Sequence, residues 1–372
     1  MARTDCYTPE GFIDWPKIFS YGADYNLIIE ARTRGKTYGA RKYALRYDFL
    51  KRGDCYVEIS RYADFLKGSG CLQDGYFDKF AQEYATDPVL SKYLLRTVGK
   101  VAQVARIPEG KEKPTWETCA YFLALTDKQE TKQRSTSFKP VRRFFFDEAL
   151  IEPDQRRYHD YLPGEIGDVA SLMSSVCRER PGVEGTRPSL YLMGNAVDLT
   201  CPWLAHFGIT TEPPYGFSWH YGHKCLLWYG PPDEDWAAHM DKTVAGGLIA
   251  GTDEGAAATL NRFAQLDAAY FARPPKRARF SFGVAHAGKT FGVWLDADNG
   301  YYYVVRGLPK SLDGKPVYAL TADDARPNYV MARRAQRSLR SFVDLYYMGI
   351  VRYQDHGCRS DFLKAMSLFG VR

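Results

Sequence analysis

The sequence predicts an α/β fold on a largely parallel sheet, followed by a smaller strand-rich region. Three observations carry this. Short apolar runs alternate with helical patterns from the N-terminus to Gly230. Breaker clusters at Gly230-Pro231-Pro232 and at Arg273-Pro274-Pro275 punctuate the chain. Beyond the second cluster, strand-like runs are joined by the tight turns Ala287-Gly288 and Asp298-Asn299-Gly300.

The elements follow in order. Residues 25–29 form a short buried strand. A glycine-containing turn leads into a helix over 37–50, where Ala40, Ala44, Leu45 and Phe49 recur at near-helical spacing until Gly53 stops it. Residues 55–59 read as a second strand, and 63–112 as mostly helical and polar. Strands are expected over 118–125, 143–146 and 189–194, with Ile166, Val169, Leu172 and Val176 marking the face of an intervening helix. An Ala/Gly-rich stretch after Pro232 predicts two short helices. Strands over 279–284, 290–295 and 301–305 come next, then a long helix over 328–351. These boundaries divide the chain into domains at 1–232, 233–272 and 273–372.

Composition bounds the function. At 372 residues the chain favours two domains, or one with a large appendage. It is 45% hydrophobic and 25% charged, which suits a packed globular core and argues against a disordered or fibrous chain. A net charge of +6 suits a nucleic-acid partner without requiring one. The aromatic content of 15%, with 27 Tyr, is read as core and strand material rather than base-stacking platforms. No apolar run nears the ~20 residues of a membrane span, and Met1 to Trp15 lacks the apolar core of a signal peptide. Eight scattered Cys without a CxxC point to reduced thiols and a cytoplasmic setting.

The chemistry concentrates between the first strand and helix. Residues 30–37 read Glu30-Ala31-Arg32-Thr33-Arg34-Gly35-Lys36-Thr37, a P-loop pattern except that Glu30 stands where the first Gly belongs. Gly35 would let the backbone curl its N–H groups toward phosphates. Lys36 would supply charge to the β and γ phosphates, and Thr37 a hydroxyl to Mg2+, at a helix N-terminus. The competing interpretation is a strand-to-helix turn with a solvated lysine. A second signal, Phe144-Phe145-Phe146-Asp147-Glu148, is an apolar strand ending in two acids. Asp147 would hold Mg2+ and Glu148 would polarise an attacking water; acids opening a helix are the alternative. Together the two motifs point to an ATPase. Asn195, at the tip of the next strand, suits a γ-phosphate sensor or an ordinary turn. Arg178 and Arg180, at the end of the preceding helix, suit a finger reaching a neighbour's nucleotide or cations at a helix C-terminus.

Several stretches in order give the chain a family likeness: Tyr25 to Arg32 leading into Gly35-Lys36-Thr37-Tyr38, then Phe146-Asp147-Glu148, Ser171-Leu172-Met173, Val176-Cys177-Arg178, Asn195-Ala196-Val197, Gly246 to Glu254, Thr290 to Gly300 and Leu320 to Asp324. In these the chain resembles the DNA encapsidation ATPases of small podoviruses. The resemblance implies an additional-strand, catalytic-glutamate P-loop ATPase domain, a small helical linker and an RNase-H-like α+β C-terminal domain. It implies a homopentameric ring that uses ATP and Mg2+ to drive double-stranded DNA through a capsid portal or connector, with a structural packaging RNA as a further partner and no membrane. The work would take place in the host cytoplasm, transiently at the procapsid portal vertex. By position it makes Lys36 and Thr37 nucleotide-binding, Asp147 a metal-holding group, Glu148 catalytic and Arg178 a trans-acting finger. Arg134 falls near a second basic residue that the family inserts across the subunit interface.

Larger packaging motors of this kind cut DNA with acids clustered around two metals, the first on the first strand of the meander. Here residues 279–286 contain no acid, and Asp296, Asp298, Asp323 and Asp324 lie further on. The expectation is a nuclease relic that docks rather than cuts. Lys276, Arg277 and Arg279, with Arg333, Arg337 and Arg340 on one face of the long helix, are candidates for gripping nucleic-acid phosphate; a solvated face is the alternative. His220, His223 and Cys225 sit close but lack a fourth zinc ligand and are read as strand residues. Two other functions stay open: a helicase-like or kinase-like P-loop protein, and a non-catalytic nucleic-acid-binding protein.

Overall fold

The structure is a computed structural model that describes residues 6–63, 84–110, 112–127, 138–151, 161–162, 164–177, 187–196, 199, 201–261, 263, 270–334 and 336–366. It divides into two compact units, Met1–Val197 with Pro213–Phe263, and Asp198–Glu212 with Ala264–Arg372.

The first unit is a mixed α/β assembly around a nine-stranded sheet. Helix α1 (Trp15–Ser20) precedes β1 (Tyr25–Ile29). Helix α2 (Lys36–Tyr43) runs on through a π-helical stretch, Ala44–Phe49, to Leu50–Arg52 and ends at the left-handed Gly53. Then come β2 (Cys55–Ser60), β3 (Tyr93–Val98), β4 (Val101–Arg106), β5 (Glu117–Ala124), β6 (Val141–Phe146), α3 (Glu165–Cys177), β7 (Ser189–Gly194), β8 (Gly216–His220) and β9 (Cys225–Tyr229). The strand order is β3-β4-β5-β2-β6-β7-β1-β9-β8. Pairing is parallel from β5 through β9 and antiparallel at the margins.

β1 lies between β7 and β9, so no side chain of Leu27, Ile28 or Ile29 meets water. That is why it reads as an unbroken apolar run rather than an alternating one. Truncating Ile28 to Ala would cost about 2–5 kcal/mol. α2 can pack closely against Trp15 of α1 only because residue 39 is glycine: a Cβ there would stand 2.3 Å from the Trp15 ring. In α3, Val169, Leu172 and Val176 are buried, the face that the periodicity marks. Three short helices, α4 (Glu234–Asp241), α5 (Val244–Ile249) and α6 (Asp253–Leu260), close this unit, each opened by a side-chain cap from Asp233, Thr243 or Thr252.

The second unit carries a six-stranded sheet. β10 (Arg279–His286), β11 (Lys289–Asp296) and β12 (Tyr301–Arg306) form an antiparallel meander. β13 (Val317–Ala319) joins β10 in parallel, β14 (Val330–Met331) joins β13, and β15 (Val351–Tyr353) joins β12. Helices α7 (Gln336–Tyr347) and α8 (His356–Met366) pack on it, with Phe342 and Phe362 meeting edge to face at 5.8 Å.

Four expectations need correction. The stretch after Pro232 forms three short helices and not two, because Thr243 and Thr252 each cap a new one. The mostly helical reading of 63–112 fails at its C-terminal half, which folds as the β3–β4 hairpin; 64–83 lies outside the described residues. The long helix over 328–351 is shorter: Val330–Met331 is a strand, α7 occupies 336–347, and the left-handed Gly349 ends it. Arg333 therefore sits in the turn before α7 and does not share its helical face with Arg340. His223 is a turn residue with φ 60°, not a strand residue.

Candidate functional site

The site lies at the C-terminal ends of the central parallel strands, where open α/β sheets place their ligands. β7 is inserted between β1, which leads into the loop 30–35, and β6, which leads into the acid pair. The loop turns on two left-handed residues, Thr33 (φ 66°) and Gly35 (φ 76°), the second serving as N-cap of α2. A Cβ on Gly35 would come within 3.3 Å of the Phe12 ring, so both backbone conformation and space favour glycine.

Lys36 lies across the loop. Its ammonium donates to Glu30 O at 2.7 Å, Ala31 O at 2.8 Å and Asn195 Oδ1 at 2.8 Å. Thr37, one residue on, donates its hydroxyl to Asp147 Oδ2. The other carboxylate oxygen of Asp147 accepts the N–H of Glu148 at 3.0 Å. The two sequence motifs are thus one cluster: a hydroxyl, a carboxylate, an ammonium and a sensor-placed amide converge. A hydroxyl and a carboxylate meeting at a helix N-terminus fit magnesium through hard oxygen ligands.

Glu148 is exposed and adopts φ 52°. A left-handed backbone costs a non-glycine residue about 1–2 kcal/mol, and such strain concentrates at functional sites. Arg61, which follows β2, holds the turn. It donates to Glu148 O and Ala149 O, both at 3.0 Å, and forks onto Glu165 at 2.5 and 2.9 Å. Sequence reading missed Arg61; its one local signal is a cation directly after a buried strand. Arg41, one helical turn beyond Thr37, pairs with Glu58 of β2 beside Asp147. Burial raises the Glu58 carboxyl, and Arg41 opposes that.

Glu30 does not obstruct the loop. Its carboxylate is sealed beneath it, accepting from Tyr7 Oη at 2.8 Å, Trp228 Nε1 at 2.9 Å and Ala31 N at 2.8 Å. Gly230 makes the room: a Cβ there would lie 2.2 Å from Glu30 Oε2. Burial raises the Glu30 carboxyl, and these three donors pull the other way. Arg34 also faces away from the cluster. It bonds Gly11 O at 2.7 Å and Asp233 at 2.5 Å and lies 4.0 Å from the Trp236 ring centroid. Arg32 and Thr33 are exposed at the loop's rim, Ala31 is buried, and the Arg32 N–H is taken by Ala258 O at 2.9 Å.

Arg134, Arg178 and Arg180 lie outside the described residues. In the second unit Lys276, Arg277 and Arg279 are exposed, but Arg277 is engaged by Asp296 at 3.1 and 3.2 Å. Arg333 and Arg340 are exposed, while the Arg337 side chain is outside the described set. Among the described residues no group of three or more His, Cys, Asp or Glu could hold a metal ion, and no helix is long and apolar enough to cross a membrane.

Comparison with known proteins agrees with this geometry. The model of the podovirus DNA encapsidation protein (Gp16) family matches residues 8–367. The DNA packaging protein of Bacillus phage B103 is 26% identical over 345 residues, covering 92% of this chain and 96% of that one. The DNA packaging protein of Bacillus phage phi29 is 26% identical over 363 residues, covering 97% and 96%. A chain in the solved bacteriophage Phi-29 viral genome packaging motor assembly superposes with a TM-score of 0.66 at 25% identity, over 96% of this chain and 99% of that one. With the match running nearly end to end, the chain belongs to the podovirus DNA encapsidation protein (Gp16) family.

Proposed function

We propose that this chain is the ATP-hydrolysing subunit of a motor that translocates double-stranded DNA into a viral procapsid. The observation that supports it most is the Thr37–Asp147 contact, which joins the loop after β1 to the acids after β6 with β7 between them. That arrangement is the one an additional-strand, catalytic-glutamate P-loop ATPase requires.

ATP is the substrate. Backbone N–H groups from Thr33 to Gly35 and at the start of α2 would cradle its phosphates, since those of Glu30, Ala31 and Arg32 are bonded within the protein. Lys36 would exchange its loop carbonyls and Asn195 for β- and γ-phosphate oxygens. Thr37 and Asp147 would hold Mg2+, which supplies charge neutralisation at the bridging and terminal oxygens. Glu148, exposed at the edge of the cluster, would orient a water in line with the γ-phosphorus and take its proton as the oxygen–phosphorus bond to ADP breaks. Asn195 would report the γ-phosphate. Arg178 and Arg134 of a neighbouring subunit would complete the site in a homopentameric ring at the portal vertex, in the host cytoplasm.

We assign 233–272 as the linker and 273–372 as an RNase-H-like domain. Its meander flanked by parallel strands supports that assignment. The engaged state of Asp296 supports docking, to the portal or to a structural RNA, over cutting. Exposed Lys276, Arg279, Arg333 and Arg340, with Arg337, are the proposed phosphate contacts.

The test is ATP turnover by the full chain with and without long duplex DNA. Turnover that rises with DNA and disappears in Lys36→Ala supports the motor. DNA-independent turnover would indicate a helicase-like or kinase-like P-loop protein, and no turnover under ring-forming conditions a non-catalytic role. In mixed rings, Arg178→Ala subunits should depress activity more than in proportion to their fraction; strictly proportional loss would exclude action across the interface.

A further inference from the structure

Asn261 is fully buried, sits at the C-terminal end of α6 and adopts φ 51°. Its amide bridges the ends of three neighbouring strands. Oδ1 accepts from Ala196 N at 3.2 Å, beyond β7. Nδ2 donates to Ile29 O at 3.0 Å, at the end of β1, and to Gly230 O at 2.9 Å, beyond β9. These are the strand ends that carry Asn195, the phosphate loop and the entry to 233–261. No other side chain combines one acceptor, two donors and tolerance of the left-handed backbone in this volume.

The rest of 233–261 grips the same loop. Arg32 N donates to Ala258 O at 2.9 Å, Thr33 Oγ1 reaches Met240 Sδ at 3.2 Å, and Arg34 engages Asp233 and Trp236. The chain passes from the first unit to the second just beyond Ala196 and again just beyond Asn261. One hydrogen bond therefore ties both departure points together, and Asn195 beside it holds Lys36.

We propose that Asn261 is a positioning residue that keeps Asn195 in register with the phosphate loop and passes its displacement to the segment 233–261. This rests on the nucleotide reading of the site. When Lys36 turns to phosphate it releases Asn195 Oδ1; movement of Asn195 draws on the Ala196 N–H, and Asn261 transmits it to α6. A residue that merely filled space there would fix stability but would not link nucleotide occupancy to α6.

The test is amide hydrogen exchange of the full chain with and without magnesium and a slowly hydrolysed ATP analogue, in wild type, Asn261→Gly and Asn261→Asp. Glycine keeps the left-handed backbone and removes all three bonds; aspartate keeps the acceptor and loses both donors. Wild type should show nucleotide-dependent protection both at residues 30–37 and across 253–260. In Asn261→Gly, protection at 30–37 should persist, while the response across 253–260 falls by about fivefold or more. Asn261→Asp, which keeps the bond from Ala196 N, should fall between the two. Equal responses across 253–260 in wild type and either variant would overturn the proposal, as would a wild type protected at 30–37 alone. A wild type with no nucleotide response anywhere would instead overturn the nucleotide reading itself.

Discussion

Among the described residues, three strands end in an acid, and the three acids have different surroundings. Glu30 follows β1, Asp147 follows β6 and Asp296 closes β11. Asp296 is buried, with one oxygen on Arg277 and the other shared by Arg277 and Asn299 of its own turn. Those donors hold its carboxyl below the usual carboxylate range. Glu30 is equally buried but meets neutral donors, so burial prevails and its carboxyl is raised. Asp147 alone remains partly open, with a hydroxyl on one oxygen and a strained, exposed Glu148 beside it. On the proposed reading, the acid that takes part in chemistry is the one that stays partly open and meets a hydroxyl from another element, as Asp147 does, and not one sealed among its own donors. Motif spelling does not reveal that; the donors around each carboxylate do.

The contrast can be broken most sharply at Glu148. Glu148→Gln should leave nucleotide binding intact and lower turnover by about 10²–10⁴-fold; near-normal turnover would move the water-orienting role elsewhere. Arg61→Ala comes next, because it strands a buried Glu165 and frees the turn that shapes Glu148. It should cost about 3–5 kcal/mol in urea unfolding, and a loss under 1 kcal/mol (roughly the value of an exposed pair) would show that the pair is not buried in solution.

Glu30 sharpens the comparison through pH. Its carboxyl is raised on folding, so the folded chain holds that proton more tightly than the unfolded one. Its contribution is complete below the ordinary value of 4.5 and is lost as pH rises through the higher folded value. The stability of wild type minus that of Glu30→Gln should therefore fall between pH 4.5 and neutrality, read from urea midpoints across that window. A flat or rising difference would mean that the three donors outweigh burial. The smallest effect is expected at Asp296. Arg277→Ala should loosen the turn after β11, seen as faster amide exchange at residues 296–300, and leave ATP turnover unchanged. A change in turnover would give that acid a part in the chemistry.

What was legible in the sequence was local. β1, β6, β7 and the start of α2 announce themselves because a strand buried on both faces must be apolar throughout, and because the loop and acid motifs depend on residues adjacent in the chain. The β3–β4 hairpin was missed because β3 is an edge strand: its exposed Leu94, Arg96 and Val98 alternate with the more buried Tyr93, Leu95 and Thr97, so it lacks the unbroken apolar run of a central strand. Arg333 was placed on the face of α7 because basic spacing alone does not show where a helix begins. Arg61 and Asn261 were invisible for another reason: their partners, Glu165 for one and Ile29, Ala196 and Gly230 for the other, lie far away in the chain. Glu30 stands where the P-loop pattern has Gly, and Gly230, distant in sequence, gives its carboxylate the room to lie beneath the loop.

The most direct measurement is equilibrium binding of a fluorescent ATP analogue to the full chain, with magnesium and with a chelator, in wild type and Asp147→Asn. If Thr37 and Asp147 form the metal corner of a nucleotide site, magnesium should tighten binding in wild type, and Asp147→Asn should lose most of that gain while keeping the metal-free affinity. An undiminished magnesium response in Asp147→Asn, in a folded protein, would contradict the assignment.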